Sequence, residues 1–428
     1  MEITFNKFFN EELTIHEIQK AMEFGEISSK ELVMYYLFRI AKHDQDGSKV
    51  NSILEINPDA IFIAEALDHE RKRTGPRGPL HGIPVLLKDN IDTKDSMHTS
   101  AGTIALENNI SVKDAVIVKK LRDAGAVILG KTNMTELANG MSNTMWAGYS
   151  SRGGQVLNPY GDADLFVGGS SSGSAVAVAS NFTVLSVGTE TDASILSPAV
   201  QNSVVGVYLD SSGLSGARIG VFIHGTKDFY ESEEYDQELF AGVIHTLRDK
   251  GAIVKDVDIP SFHRDWNYGV MLYELKHSLD NYLYNLPPQS PVHSLAELIQ
   301  FNKDHKDATL KYGQNKLELR NEYPNTLRNS EYLFAKLEDL YFSQQHGGID
   351  FTLKKYNLDA ILFPSYIGST LCAKAGYPSI AVPAGYMKNG RPFGVTFAST
   401  AFSEGILIKI AYAFEQATKH RKSPILKK

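Results

Sequence analysis

Apolar positions recur at helical spacing from the start of the chain. Ile15, Ile18 and Met22 form one stripe, and Leu32, Val33, Tyr36, Leu37 and Ile40 a second, the 3.6-residue repeat of amphipathic helices. Each stripe follows a Ser/Thr-x-x-Glu box, Thr14 to Glu17 and Ser28 to Glu31. In such a box the hydroxyl caps a first-turn N–H and the glutamate reaches back. Ser52 to Ile56 reads as a strand, and Asn57-Pro58 as the cap and first residue of a third helix running to about Glu70. Arg71 to His81 holds two Gly-Pro pairs and reads as a surface loop. The apolar run within Gly82 to Asn90 is too short for a helix and reads as a buried strand ending in Lys88. A helix over Asp114 to Arg122, a stop at Gly125 and a strand over Ala126 to Leu129 follow.

The segment Leu121-Arg122-Asp123-Ala124-Gly125-Ala126-Val127-Ile128 returns as Leu247-Arg248-Asp249-Lys250-Gly251-Ala252-Ile253-Val254. A glycine just past a helix lets the chain turn sharply into a strand, so both copies predict helix, glycine, strand. Further on lie a small-residue helix (Ala175 to Ala179), a short strand (Phe182 to Val187) and strands at Ala360 to Pro364 and Ser379 to Pro383. Between Ser261 and Gly348 glycine is scarce, and helical stretches such as Tyr273 to Tyr284 and Glu331 to Phe342 predict a helical layer broken at Leu286-Pro287-Pro288. A helix over Glu404 to Thr418 closes the pattern. The alternation predicts an α/β architecture with buried, largely parallel strands. With no linker-like segment, the 428 residues are expected to form one domain.

Composition narrows the picture modestly. An apolar fraction of 43% and a charged fraction of 22% allow a sizeable core. The net charge of −7, without a long basic run, argues against nucleic acid as a partner. Cys372 is the only cysteine, which excludes an internal disulfide and any multi-cysteine metal site. The first residues lack a basic segment followed by an apolar one, so no signal peptide is read. No apolar run approaches a bilayer span, and no membrane association is expected. A soluble, cytoplasmic protein is the expectation.

Chemistry concentrates between Val167 and Ala199. A Gly168-Gly169-Ser170-Ser171-Ser172-Gly173-Ser174 loop precedes the small-residue helix, and Gly188 to Ala199 forms a second hydroxyl-rich turn. Two such turns can bring serines and backbone N–H groups to one spot, the equipment of acyl transfer. Each residue alone has a plainer reading. Lys88 at a strand end is most often a surface cation; its functional reading needs burial, which lowers an amine's pKa so that it can accept a proton. The first loop lacks the Gly-Lys-Ser/Thr ending of a phosphate-binding loop. Gly169 to Gly173 also fits Gly-x-Ser-x-Gly, which would make Ser171 a nucleophile and require a downstream histidine such as His224 or His263.

Taken together, Lys88, the Gly-Gly-Ser-Ser loop, and Ser194 in a Gly-Thr-x-Thr-x-x-Ser-Ile-x-x-Pro-Ala frame form a long pattern. On it the chain resembles the amidase signature family of Ser-cisSer-Lys hydrolases. The likeness extends over His81 to Pro84, Gly130 to Met134, Ala375 to Ser379 and Gly390 to Gly394. The Gly188-Thr189-Glu190-Thr191 form is similar to the peptide-amidase branch. The resemblance implies a twisted mixed β-sheet flanked on both faces by helices. It implies Ser194 as the acyl-forming nucleophile, Ser170 as the bridging serine after a cis peptide, and Lys88 as the base. It also implies an oxyanion site from the backbone N–H groups of Thr191, Asp192, Ala193 and Ser194, with Met134, Asn139, Gly140 and Met141 as pocket residues. The implied substrate is a small-molecule or peptide amide, with neither metal nor organic cofactor.

The chain departs from the family in three places. Asp192 and Ala193 stand where two glycines are usual, and the Cβ of Ala193 disfavours a positive φ. Leu196 replaces a common arginine. After Val204-Val205-Gly206 the expected Lys-Pro-Thr, Arg-x-Gly and Asp-x-x-Gly-Pro stretches are missing. Two rivals to an amidohydrolase remain: the amidotransferase subunit that passes ammonia to misacylated tRNA, which shares this signature, and an impaired amide-binding protein, which Ala193 and the missing stretch make plausible.

Overall fold

A computed structural model describes residues 12–161, 163–205, 214–222, 237–266 and 268–426. Both capping boxes form. Thr14 caps α1 (Ile15–Glu23) and Ser28 caps α2 (Ser29–His43), each hydroxyl accepting from the glutamate N–H three residues on. Helix α3 (Ala60–Thr74) starts later than Asn57-Pro58 suggests. The Asn57 side chain instead donates to Ile128 O at 2.7 Å and accepts from Asp59 N at 3.0 Å, tying the turn to the neighbouring strand.

Strands β1 (Ile53–Ile56), β2 (Pro84–Lys88), β3 (Val127–Thr132) and β6 (Leu185–Val187) form a sheet of order β1-β3-β2-β6. A ribbon pairs β4 (Tyr149–Ser150) with β5 (Gly154–Gln155). A second sheet of order β10-β11-β9-β7-β8 combines β7 (Arg218–Phe222), β8 (Ile253–Val257), β9 (Ala360–Pro364), β10 (Ser379–Tyr386) and β11 (Pro392–Ala398). The mixed character is as expected, but the described strands hydrogen-bond as two sheets. Parallel pairing is confined to the neighbours of β2 and β7; β1–β3, β9–β11 and β10–β11 are antiparallel.

The repeated motif folds alike in both copies. Helices α4 (Val116–Asp123) and α7 (Gln237–Asp249) end before Gly125 and Gly251, at φ 82° and 88°, and lead into β3 and β8. Burial differs: β3 is buried throughout, whereas β8 is an edge with Ile253 61% exposed, against the expectation of a buried strand. The sequence pattern did not predict β11, since Pro392 and Gly394 weigh against a strand. A Cβ at Gly394 would come within 3.0 Å of Val200 on the short helix α6 (Leu196–Gln201), so glycine there serves close packing.

Between 261 and 348 the helical layer consists mainly of α8 (Gly269–Tyr284), α9 (Leu295–Asp304), α10 (Asn315–Asn321) and α11 (Ser330–Leu340). Leu283, Leu295, Leu298 and Leu317 of this layer share one apolar cluster with Leu137, Met141 and Met145. Helices α12 (Ile349–Tyr356), α13 (Ser369–Ala375) and α14 (Glu404–Thr418) complete the chain. Beyond α14, Arg421 reaches back across the molecule. It pairs with Glu12 and donates to Ser203 O at 2.8 Å, to Tyr160 Oη at 2.9 Å and to Ala179 O at 3.2 Å. Among the described residues no helix is long and apolar enough to cross a membrane.

Candidate active site

Strand β2 is flanked on both sides by parallel partners, β3 and β6, and every residue in it is buried. Lys88 is therefore carried into the interior at the strand end, with no exposed surface. Its Nζ lies 2.8 Å from Ser170 Oγ, 2.9 Å from Thr189 Oγ1 and 3.1 Å from Thr189 O. Ser170 stands just before α5 (Ser172–Ala179), after a cis Gly169–Ser170 peptide bond. Ser170 Oγ and Ser194 Oγ share a hydrogen bond at 3.1 Å, and both serines are buried. The lysine and the two serines named from the sequence thus meet in an unbroken line of side-chain contacts. Burial pushes the Lys88 amine down to about 7, with the Glu190 charge opposing the shift.

Thr189 and Asn90 were not singled out from the sequence, yet they complete the lysine's surroundings. A neutral amine has two N–H donors and one lone pair. Thr189 offers two acceptors, its carbonyl and its hydroxyl oxygen, which leaves the lone pair for the Ser170 proton. Asn90 Nδ2 donates to Thr189 Oγ1 at 3.0 Å, and that hydroxyl can return its own proton to Asn90 Oδ1 at 3.4 Å. Thr189 lies 101 positions from Lys88. The only signal in the sequence was its place in the Gly-Thr-x-Thr frame.

Ser171 has a different use from the one a Gly-x-Ser-x-Gly elbow would give it. Its hydroxyl donates to Thr189 O at 3.0 Å and accepts from Thr189 N at 3.3 Å. No histidine among the described residues bonds it. His263 instead faces Asp258 at 3.1 Å, and His224 lies outside the described residues.

The turn before Ser194 is held from its rim. Glu190 accepts from the N–H groups of Ile195 and Leu196, Ser171 N donates to Ser194 O at 3.0 Å, and Thr370 Oγ1 donates to Asp192 Oδ2 at 2.8 Å. Among the described residues, the backbone N–H groups of Thr191, Asp192, Ala193 and Ser194 have no protein acceptor. Ala193 has φ 57°, in the left-handed region that a glycine would occupy freely.

The four pocket residues are placed unequally. Met134 is fully buried close to Gly102, and Met141 is fully buried in the apolar cluster shared with Leu283 and Leu317. Asn139 is exposed and Gly140 buried. The residues leading to them, Leu137, Ala138 and Asn139, form a left-handed turn with φ 48°, 54° and 67°. No three His, Cys, Asp or Glu side chains gather as a metal site among the described residues.

Comparison with known proteins identifies the family. The Amidase family profile matches residues 31–208. A probable amidase of Arabidopsis thaliana is 35% identical over 97% of this chain and 92% of its own length. That alignment runs over 491 residues, more than the 428 of this chain, so the relative has residues without a counterpart here. The place expected for such a loss, after Gly206, lies outside the described residues. The peptide amidase of Stenotrophomonas maltophilia superposes with a TM-score of 0.89 at 34% identity, covering 98% of this chain and 100% of that one. An amidase family protein of Bacillus anthracis gives 0.89 at 36% identity, covering 98% and 93%. The chain belongs to the amidase signature family, whose common chemistry is hydrolysis of the amide bond.

Proposed function

We propose that the protein hydrolyses a carboxylic amide to an acid and ammonia or an amine through an ester on Ser194. The carrying observation is the continuous contact from a buried amine through Ser170 to Ser194. The neutral Lys88 amine takes the Ser170 proton as Ser170 takes that of Ser194, and Ser194 Oγ bonds to the substrate carbonyl carbon. The four N–H groups from Thr191 to Ser194 receive the developing oxyanion; one such donor is worth about 3–4 kcal/mol in a comparable site. The proton returns along the same path to the leaving nitrogen, and the C–N bond breaks. Water then attacks the ester, its proton following the same relay, and the acid leaves. Linear amides, including the C-terminal amide of a peptide, are the proposed substrate class; the likeness to peptide amidase supports it.

A fluorophosphonate probe, followed by peptide mass mapping, tests the reading directly. Labelling at Ser194, with ammonia release from a panel running from aliphatic amides to peptide C-terminal amides, is expected. A probe adduct on Ser171, or none at all, would overturn it.

Ala193 carries the second reading, an amide binder of impaired turnover, because its backbone conformation suits glycine. A left-handed alanine costs roughly 1–2 kcal/mol, partly offset by the entropy a glycine would lose on folding, about 0.4–1 kcal/mol. Ala193→Gly is therefore expected to raise Tm by up to about 2 °C in calorimetry, and to raise turnover by freeing the turn that faces the oxyanion. A drop in both would show that the alanine is accommodated without strain.

A further inference from the structure

Helix α10 carries two cations one turn apart that no carboxylate answers. Arg320 is only 5% exposed, and Lys316 is half-buried on the same face. Glu318, which lies between them in sequence, is engaged elsewhere, with Lys303 at 3.0 Å. Arg320 Nη1 donates to Gly140 O, and Lys316 Nζ to Asn139 O at 3.3 Å. Arg320 Nε is buried without a partner, and among the described residues Nη2 donates to none. Burial lowers the pKa of both groups; the Arg320 charge depresses Lys316 further, and no anionic neighbour offsets either shift.

A buried cation without a counter-ion is costly to keep. Stapling two backbone carbonyls does not demand it, since neutral donors would serve. With Nη1 committed to Gly140 O, the guanidinium keeps its Nε–Nη2 edge, two parallel donors that match the two oxygens of a carboxylate. Lys316, one helical turn away, adds a second positive charge that the Arg320 charge already feels. The turn opposite is the left-handed one at Leu137 to Asn139, with Ala138 and Asn139 exposed. Strained backbone of this kind gathers at ligand clamps. The same segment runs back to Thr135, whose N–H donates to Ser170 O at 3.1 Å.

We propose that Lys316 and Arg320 form a carboxylate-binding site where α10 meets the 137–141 turn. The carboxylate comes either from the far end of an amide substrate or from a free organic acid. Only the first source rests on the amide-hydrolysis reading.

The test has two arms. In the first, Tm is followed against sodium succinate at constant ionic strength, with sodium chloride as the balance. A saturable rise is expected in the wild type and is expected to vanish in Lys316→Gln, a change at a half-buried position. Arg320→Lys, which keeps the charge but loses the fork, should weaken it. In the second arm, kcat/KM for adipic acid monoamide is divided by that for hexanamide. A wild-type ratio of about ten, falling to about one in Lys316→Gln, assigns the carboxylate to the substrate. A ratio near one in both proteins, with the Tm response intact, assigns it to a free acid. No saturable rise over chloride, or the same rise in Lys316→Gln as in the wild type, overturns the site whatever the hydrolysis assay shows.

Discussion

Ser194→Ala is expected to cut amide turnover by at least about 10⁴-fold, since removing a nucleophile that acts as one unit with its base has cost on the order of 10⁶ elsewhere. In the proposed mechanism the hydroxyl is the atom that bonds the acyl carbon, and Ser170 is not free to replace it. Ser170 Oγ is 2.8 Å from the lysine but is occupied in relaying its proton. Structurally the loss is small. One hydrogen bond disappears, worth about 1 kcal/mol, so in a chain of this length Tm should move by only about 1 °C. Ammonia release and calorimetry on the purified variant separate the two effects. A Ser194→Ala protein retaining a tenth of wild-type turnover would end the acyl-enzyme reading.

Lys88→Met, which keeps side-chain length but removes the amine, should lower turnover by about 10²–10⁴-fold. The wild-type rate should climb as pH passes through about 7, where the amine becomes neutral, and then level off. Stability carries the same signature. The folded-state pKa, about 7, lies below the ordinary lysine value of 10.5. Between these values the unfolded chain binds a proton that the folded chain has released. Wild-type stability should therefore rise with pH across that window and fall towards the lower end, where the buried amine must be charged. In Lys88→Met this slope should flatten. Denaturant titrations from pH 6 to 10 measure it. An unchanged slope in the variant, or a flat wild-type rate profile from pH 6 to 9, would remove the lysine from the role of base.

Much of this was legible because the signals were local. A hydroxyl three residues before a glutamate caps a helix whatever lies around it, and both N-terminal boxes formed. The helix from Glu404 to Thr418 and the strand from Ala360 to Pro364 matched their patterns at both ends. Lys88 was ambiguous alone, since a terminal lysine on an apolar strand normally reaches solvent. Its burial depends on β3 and β6 closing around β2, which periodicity in β2 cannot report. β8 failed in the opposite sense: its apolar residues fit a buried strand, but its edge position leaves Ile253 exposed. Thr189, Asn90, Lys316 and Arg320 were illegible for one shared reason. Their partners are about a hundred or more positions distant, or depend on which helical face meets which turn. The Gly-x-Ser-x-Gly match shows the converse hazard, because a five-residue pattern was satisfied by a serine that braces a main-chain turn.

The contacts of Arg421 have a consequence for how the molecule is made. Its guanidinium closes on the carbonyls of Ala179, at the end of α5, and Ser203, just past α6. At a synthesis rate of roughly 5–20 residues per second, the ribosome needs on the order of ten to forty seconds to travel from Ser203 to Arg421. During that interval both carbonyls must wait in the nascent chain without their final donor. Closure of the ends of α5 and α6 is thereby delayed until residue 421 has been made, so a product truncated before that arginine should emerge with those helix ends unclasped.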